Sequence, residues 1–373
     1  MDLLFNNVSE QLIPYIIEQN PPQEFRWHYK TGLILLAIYN AGVLLKKSKY
    51  IDWVKSVADY LILDDGSIRT YNKEDYNLDQ INTGKILFDI YALTGEKKYR
   101  KAIQLLREQL KNQPRTDSMG FWHKSVYPWQ IWQDSVYMLS PFYARYAMEF
   151  GTAEDFEDSI NQILIMVSKT RDHKTGLLYH AWDESRKQLW ANQNTGCSPH
   201  FLCKGMGLFC MAVVDVLDFI PNDEQYKPYR EHLIQIINSL IIAILAVQDD
   251  KTGMWFQIMD QGARERNYLE TAGSSMLTYF MLKALRLGYV KDSLLEQTTL
   301  AADKAYFGIC TNMLSKDEDN HYHLHGISGL SGLGGNPYRD GSFDYYVKDS
   351  LRTDDFRGLG PFVMAMTEFE IKK

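Results

Sequence analysis

Six runs of apolar residues recur along the chain, beginning near Gly32 (GLILLAIYNAGVLL), Gly84 (GKILFDIYAL), Val136 (VYMLSPFYARYA), Gly205 (GMGLFCMAVVDVL), Ser274 (SSMLTYFMLKAL) and Gly360 (GPFVMAMTEFE). Each is apolar on most faces, which suits an inner helix with neighbours all round. Between successive runs lies a segment of different character. In one of them Tyr99, Ile103, Leu106 and Leu110 share a face, with Lys101, Arg107, Glu108 and Lys111 elsewhere around the helix. That stripe marks a helix wet on one side. Inner and outer helices therefore alternate.

The first two spacings between runs are 52 residues. A helical hairpin with short loops needs roughly 30 to 40 residues, so the surplus is room for a functional loop. Six hairpins predict an all-α fold, an (α/α)6 toroid whose inner helices run parallel with their N-termini at one rim. An open solenoid would call for polar caps on its terminal repeats, yet the last run, PFVMAMTEF, is nearly as apolar as the middle ones. No linker or charge block breaks the pattern, so residues 1–373 are expected to form one domain.

A second repeat follows the outer helices: GFWHK at 120–124, GLLYHAWD at 176–183 and GMWFQIMD at 253–260, the latter two introduced by HKTG and DKTG. The Lys-Thr-Gly end predicts a turn with glycine at positive φ, and the alternating aromatics predict short strands or extended loops crossing the rim. Such loops would carry Trp122, His123, His180 and Trp182 to a cavity mouth.

Net charge of −7 and a pI of about 5.8 argue against a nucleic-acid surface, which needs a basic footprint. The start, MDLLFNNVSEQLIPYII, lacks the cationic region and apolar core of a signal peptide, and no run is long enough to span a membrane. A cytoplasmic location is expected. Cys197, Cys203, Cys210 and Cys310 form no CxxC pair and read as buried thiols. His321, His323 and His325 would share one face of a strand, but their segment is polar and reads as a surface loop, not a metal site. There is no phosphate-cradling loop, GxSxG elbow or HExxH helix. The glycine-rich GISGLSGLGGNPYRDGS reads as a long flexible loop over a rim.

Carboxylates and aromatics remain. Aromatic residues make up 13% of the chain, and many flank inner-helix starts: Trp27, His28 and Tyr29; Tyr76; Trp129 and Trp132; Tyr268. Flat rings among carboxylates and histidines suit a sugar, whose CH faces stack while its hydroxyls demand directional partners. Asp79 (LDQINTG) and Asp134 (WQDSVYM) stand at equivalent helix starts. Each reads either as an N-cap or as half of an acid/base pair. A helix N-terminus lowers a carboxyl pKa, so a general acid here needs burial against Trp129 or Trp132, or the like charge of Asp79, to raise it.

RWHY at 26–29, LDxIxxG at 78–84, GFWHK with YPWQIWxDxxYMxxPF at 120–142, TGLLYHAWDE at 175–184, WANxxTGCSPxF at 190–201 and TDDFRGLGPFVMAMTE at 353–368 closely resemble the unsaturated rhamnogalacturonyl hydrolases of glycoside hydrolase family 105, relatives of the unsaturated glucuronyl hydrolases of family 88. The resemblance spans most of the chain. It implies an (α/α)6 barrel that removes a 4,5-unsaturated uronic acid from oligosaccharides left by pectin lyases, by hydrating the vinyl ether. Carried over, Asp134 would protonate C4 and help deliver water to C5, and Asp79 would hold substrate hydroxyls and tune Asp134. Tyr29, His123 and His180 match positions that line the sugar site, with Trp132 beside the acid. No metal or organic cofactor is implied, and the partner is a small oligosaccharide met by a monomer or weak homo-oligomer.

Two departures stand out. Ser135 follows Asp134 where the family usually has glycine. In FLCKGMGLF at 201–209 the family commonly places an arginine between two tryptophans, and here those positions read Leu202, Lys204 and Leu208. Lys204 can still meet a uronate carboxylate, as a point charge without a bidentate fork. Other readings stay open: an unsaturated glucuronyl hydrolase, an inverting hydrolase with Asp134 as acid and Asp79 as base, or a non-catalytic sugar binder. Whether the 326–358 segment closes over substrate is a question for the structure.

Overall fold

The computed structural model describes residues 8–329, 331–348 and 350–372. Residues 1–7, part of the stretch read above for a leader, lie outside the described residues, as do positions 330, 349 and 373. Thirteen helices appear among those described: α1 (Val8–Gln19), α2 (Tyr29–Leu44), α3 (Ser48–Leu61), α4 (Lys85–Thr94), α5 (Lys97–Asn112), α6 (Gln133–Phe150), α7 (Ala153–Thr170), α8 (Cys203–Val216), α9 (Lys227–Leu245), α10 (Thr271–Arg286), α11 (Asp292–Met313), the short α12 (Phe343–Val347) and α13 (Phe356–Ile371). A 3-10 turn over Leu78–Gly84 runs directly into α4.

The six apolar runs become α2, α4, α6, α8, α10 and α13. Each packs against the next, and α13 packs against α2, so the ring closes. The closed (α/α)6 toroid agrees with the pattern. Every residue of α8 is buried, as expected of a helix with neighbours on all sides. On the outer α5, Tyr99, Ile103, Leu106 and Leu110 are buried as the stripe required.

One outer helix escaped the sequence reading, which found none after the last run. The outer partner of α13 is α1, which packs on it, burying Leu12, Ile13 and Ile16, and Ser9 Oγ donates to Glu370 Oε2 at 2.7 Å.

The Lys-Thr-Gly turns form as expected. Asp172 and Asp249 each accept from the threonine N–H and hydroxyl three residues on, and Gly176 and Gly253 take φ of +77° and +75°. Of the three predicted strand segments, only YHAWD yields a strand. Its β2 (Ala181–Asp183) pairs antiparallel with β1 (Gln130–Trp132), from the tryptophan-rich segment. The 120–124 and 253–260 segments make isolated bridges instead. Two further hairpin-like pairs, β3 (Leu314–Lys316) with β4 (Tyr322–Leu324) and β5 (Ile327–Ser328) with β6 (Leu351–Arg352), lie before α13.

The glycine-rich segment is not a loose cover. Leu333 from it, with Phe343 and Tyr346 of the α12 that follows, is buried against Trp132, Ala181 and Leu202, which makes this stretch a packed wall. Among the described residues no helix is long and apolar enough to cross a membrane.

Ring closure rests on the α13–α2 seam, where a Cβ added at Gly360 would lie 2.9 Å from the Leu33 carbonyl carbon. Gly360→Val is expected to overpack this seam and cost about 1–3 kcal/mol, read as a lower urea midpoint. An unchanged midpoint would mean the seam is not close-packed.

Candidate functional site

Side chains from the first turns of five inner elements meet in one cavity of about 350 Å³: Tyr29 and Lys30 of α2, Asp79 of the 3-10 turn, Asp134 of α6, Lys204 of α8 and Arg357 of α13. The helix starts therefore gather at one end of the ring, as the alternating pattern required.

Neither aspartate is an N-cap. Asn77 holds that position for the 3-10 turn, its side chain accepting from Asp79 N, and Trp132 holds it for α6 without a side-chain bond. Both carboxylates are thus free to face the cavity. Asp79 Oδ2 pairs with Lys124 Nζ at 2.6 Å, with His123 Nε2 3.9 Å from its other oxygen. Burial works to raise its pKa, but the Lys124 charge and hydrogen bond outweigh that and hold it low.

Asp134 depends on the β1–β2 pairing. Trp132 lies opposite Ala181 and Gln133 N donates to His180 O at 3.0 Å, which sets the His180 ring against the start of α6. His180 Nε2 lies 2.9 Å from Asp134 Oδ2, and Tyr346 Oη 3.1 Å from His180 Nδ1. Burial favours the neutral acid, yet the His180 bond and nearby positive charge, Lys204 included, keep the carboxyl well below the usual range. The raised pKa that a general acid at this position requires is thus not supplied by the protein around Asp134, which favours the carboxylate. His180 itself is fully buried and stands behind Asp134, outside the cavity lining. It hydrogen-bonds Asp134 and is not among the residues that line the cavity. Gly205 gives it room, since a Cβ there would lie 2.9 Å from His180 Cδ2 and 2.4 Å from Gln133 Oε1.

His123 lines the cavity with its ring stacked on Trp132, centroids 4.4 Å apart, and Trp132 stacks in turn on Tyr127 at 5.0 Å. Burial pushes the His123 pKa down to about 4. Ser135, the departure beside the acid, places its Oγ 2.9 Å from His123 Nδ1 and so gives that buried ring a partner. Burial raises the Tyr29 hydroxyl pKa, and Arg357 bonds to it.

Lys204 is buried, with Nζ 3.2 Å from Ser328 O and 3.1 Å from Ser328 Oγ. Ser328 N in turn donates to Glu270 Oε1 at 3.0 Å. Leu202 and Leu208 are also buried; Leu202 packs under the glycine-rich wall, so neither offers a stacking face. Trp122 and Trp182, expected at the mouth, stay out of it. Trp122 packs near Trp129, and Trp182 is buried with its Nε1 donating to Thr195 O.

The sequence reading assigned no role to Lys124, Tyr127, Arg339 or Arg357, all of which line the cavity. Arg357 forms a bidentate pair with Asp355, Nε–Oδ1 2.8 Å and Nη2–Oδ2 2.7 Å. The motifs GFWHK and TDDFRG contain two of these residues, and that is the signal that could have found them. The three histidines near 323 are engaged elsewhere: His323 with Asp354 and Asp317, His325 with Ser315 and Thr353, and His321 stacked on Tyr15. All four cysteines are buried and unpaired.

The family model described as Glycosyl Hydrolase Family 88 matches residues 8–372. A glycoside hydrolase of family 105 from C. acetobutylicum is 40% identical with a TM-score of 0.91, the match covering 97% of this chain and 98% of that one. The unsaturated rhamnogalacturonyl hydrolase YesR of Bacillus subtilis is 23% identical over 296 residues, 76% of this chain and 78% of its own. In fold alone, the unsaturated glucuronyl hydrolase of Bacillus sp. GL1 is similar, with a TM-score of 0.65 at 10% identity over 94% of this chain and 87% of its own.

The buried His123 predicts a pH dependence. Its folded pKa of about 4 lies below the ordinary ~6.5 of an unfolded histidine, so the unfolded chain takes the proton first. Its contribution is full above about pH 6.5 and is lost as pH falls toward 4. His123→Gln is expected to flatten the fall in urea midpoint across that window. An unchanged slope would contradict a neutral, buried His123.

Proposed function

The chain belongs to Glycosyl Hydrolase Family 88 and to its family 105 relatives, and we propose that it removes a 4,5-unsaturated uronate from the non-reducing end of rhamnogalacturonan-derived oligosaccharides. The observation that carries this reading is a half-buried aspartate, Asp134, hydrogen-bonded by His180 at the edge of a cavity rich in cationic side chains. An anionic sugar is drawn to such a cavity, where excess positive charge raises its local concentration.

The reaction is hydration of the vinyl ether. Asp134, ionised in the empty site, must first gain a proton. The substrate's carboxylate, enclosed in the same cavity, supplies the like charge that raises the Asp134 pKa, and Asp79 adds to it. The acid then protonates C4 and positive charge develops at C5. The regenerated carboxylate takes a proton from water as its oxygen bonds to C5. The hemiketal opens by breaking its C5–ring-oxygen bond to give a C5 ketone and a hemiacetal at C1, and that hemiacetal collapses to the aldehyde, breaking the C1–O bond and releasing the next sugar with its oxygen and a proton. Each step uses side chains alone. Asp79, held by Lys124, orients substrate hydroxyls, and the His123–Trp132–Tyr127 rings offer a stacking surface. Lys204 and Arg357 face the uronate carboxylate. General acid–base assistance of this kind contributes typically about 10²–10⁴-fold.

The name of the Bacillus subtilis relative supports rhamnogalacturonan as the source of substrate. On this reading the chain is a single six-hairpin domain acting in the cytoplasm on short oligosaccharides.

With the unsaturated galacturonyl–rhamnose disaccharide, the purified protein is expected to abolish the ultraviolet absorbance of the enol ether and release rhamnose. Asp134→Asn should lose at least about 10²-fold in kcat, and undiminished turnover in that variant would overturn the assignment of the acid. Gly205→Ala, which crowds His180, is expected to lower kcat more than it raises KM. A pure KM effect would place His180 in substrate binding instead.

A further inference from the structure

Arg339 stands on the glycine-rich wall, where the sequence shows only turn residues. Its Nε donates to Gly334 O at 2.7 Å, and its Nη2 to Tyr127 Oη at 2.7 Å and Leu333 O at 3.1 Å. Three bonds fix the plane of the guanidinium, and Nη1 carries none of them. Among the described residues Arg339 makes no ion pair, whereas Lys124 is held by Asp79, and Lys30 and Arg357 share Asp355.

Charge in the cavity points the same way. Five cations line it: Lys30, Lys124, Lys204, Arg339 and Arg357. Two carboxylates line it, Asp79 and Asp134, so cations outnumber carboxylates along the lining. A single unsaturated uronate brings one carboxylate.

Position decides where the second belongs. Arg339 is half-buried and follows four exposed residues, 335–338, so it stands at the mouth, whereas Trp132 is buried beside the acid. Tyr127 links the two, its ring 5.0 Å from Trp132 and 5.9 Å from the Arg339 guanidinium carbon. An exo-acting site sends the rest of the sugar chain out through its mouth.

We infer that Arg339 recognises the carboxylate of a second uronate, further along the same oligosaccharide, and so selects chains longer than the disaccharide. This rests on the proposed reaction for the identity of the sugar chain. A guanidinium with its plane fixed and one terminal nitrogen open suits a carboxylate better than a hydroxyl.

The test is calorimetry on the Asp134→Asn protein, which should bind without turnover, using the unsaturated rhamnogalacturonan disaccharide and the tetrasaccharide that carries a second galacturonate. The tetrasaccharide is expected to bind about tenfold tighter, the yield of one charge-assisted hydrogen bond, with the advantage shrinking as salt rises. Adding Arg339→Gln should bring the ratio of affinities close to one, and Arg339→Lys should restore part of it. Equal affinities in the parent protein, or an Arg339→Gln effect of the same size on both ligands, would overturn the inference. A preference that persists while wild-type protein leaves the enol ether intact would sink the hydration reading and leave the Arg339 assignment standing.

Discussion

A carboxylate withdrawn from water stays ionised only where donors or positive charge offset the burial that favours the neutral acid. For Asp134 that donor is His180, and much of the surrounding structure serves to hold it there. The β1–β2 register brings the ring to the start of α6, Tyr346 holds its far nitrogen, and Gly205 leaves it space. The result is a carboxyl held below its usual range, and on the proposed reaction the uronate carboxylate is the like charge that raises it.

That arrangement changes the meaning of the glycine-rich segment. Tyr346 touches His180, Ser328 touches Lys204 and Arg339 touches Tyr127, so one stretch of chain contacts the acid's positioning residue, a cavity lysine and a ring of the stacking surface. Leu202, where related chains commonly carry tryptophan, is buried beneath it. A bulkier ring there would compete for the volume that Leu333, Phe343 and Tyr346 fill. The departure at Leu202 thus belongs with how this wall packs, whereas Leu208 lies in the main core.

How legible this was depends on the kind of physics involved. The six inner helices were readable because burial on all faces leaves a composition signature, and α5 because burial on one face leaves a period. The outer α1 was not, since its partner α13 lies at the opposite end of the chain. Tyr29, Asp79, Trp132 and Asp134 could be gathered because helix starts converge when the ring closes, whereas His123 came from the loop repeat and Lys204 from the family resemblance. The N-cap alternative failed on neighbours, Asn77 and Trp132, that occupy the cap positions themselves. Arg339 left no pattern, as a single arginine among glycines has neither period nor composition to mark it. The low Asp134 pKa was equally out of reach, because it follows from a contact between residues 46 positions apart.

The most direct test of the central claim is the order of events in a single time course, with enol-ether absorbance and free aglycone followed together at early times. If Asp134 protonates C4, loss of the double bond precedes or accompanies release of the next sugar, and in heavy water one face of C4 acquires deuterium. Release of aglycone ahead of the absorbance change, with an unsaturated monosaccharide accumulating, would show attack at the anomeric carbon and contradict this account.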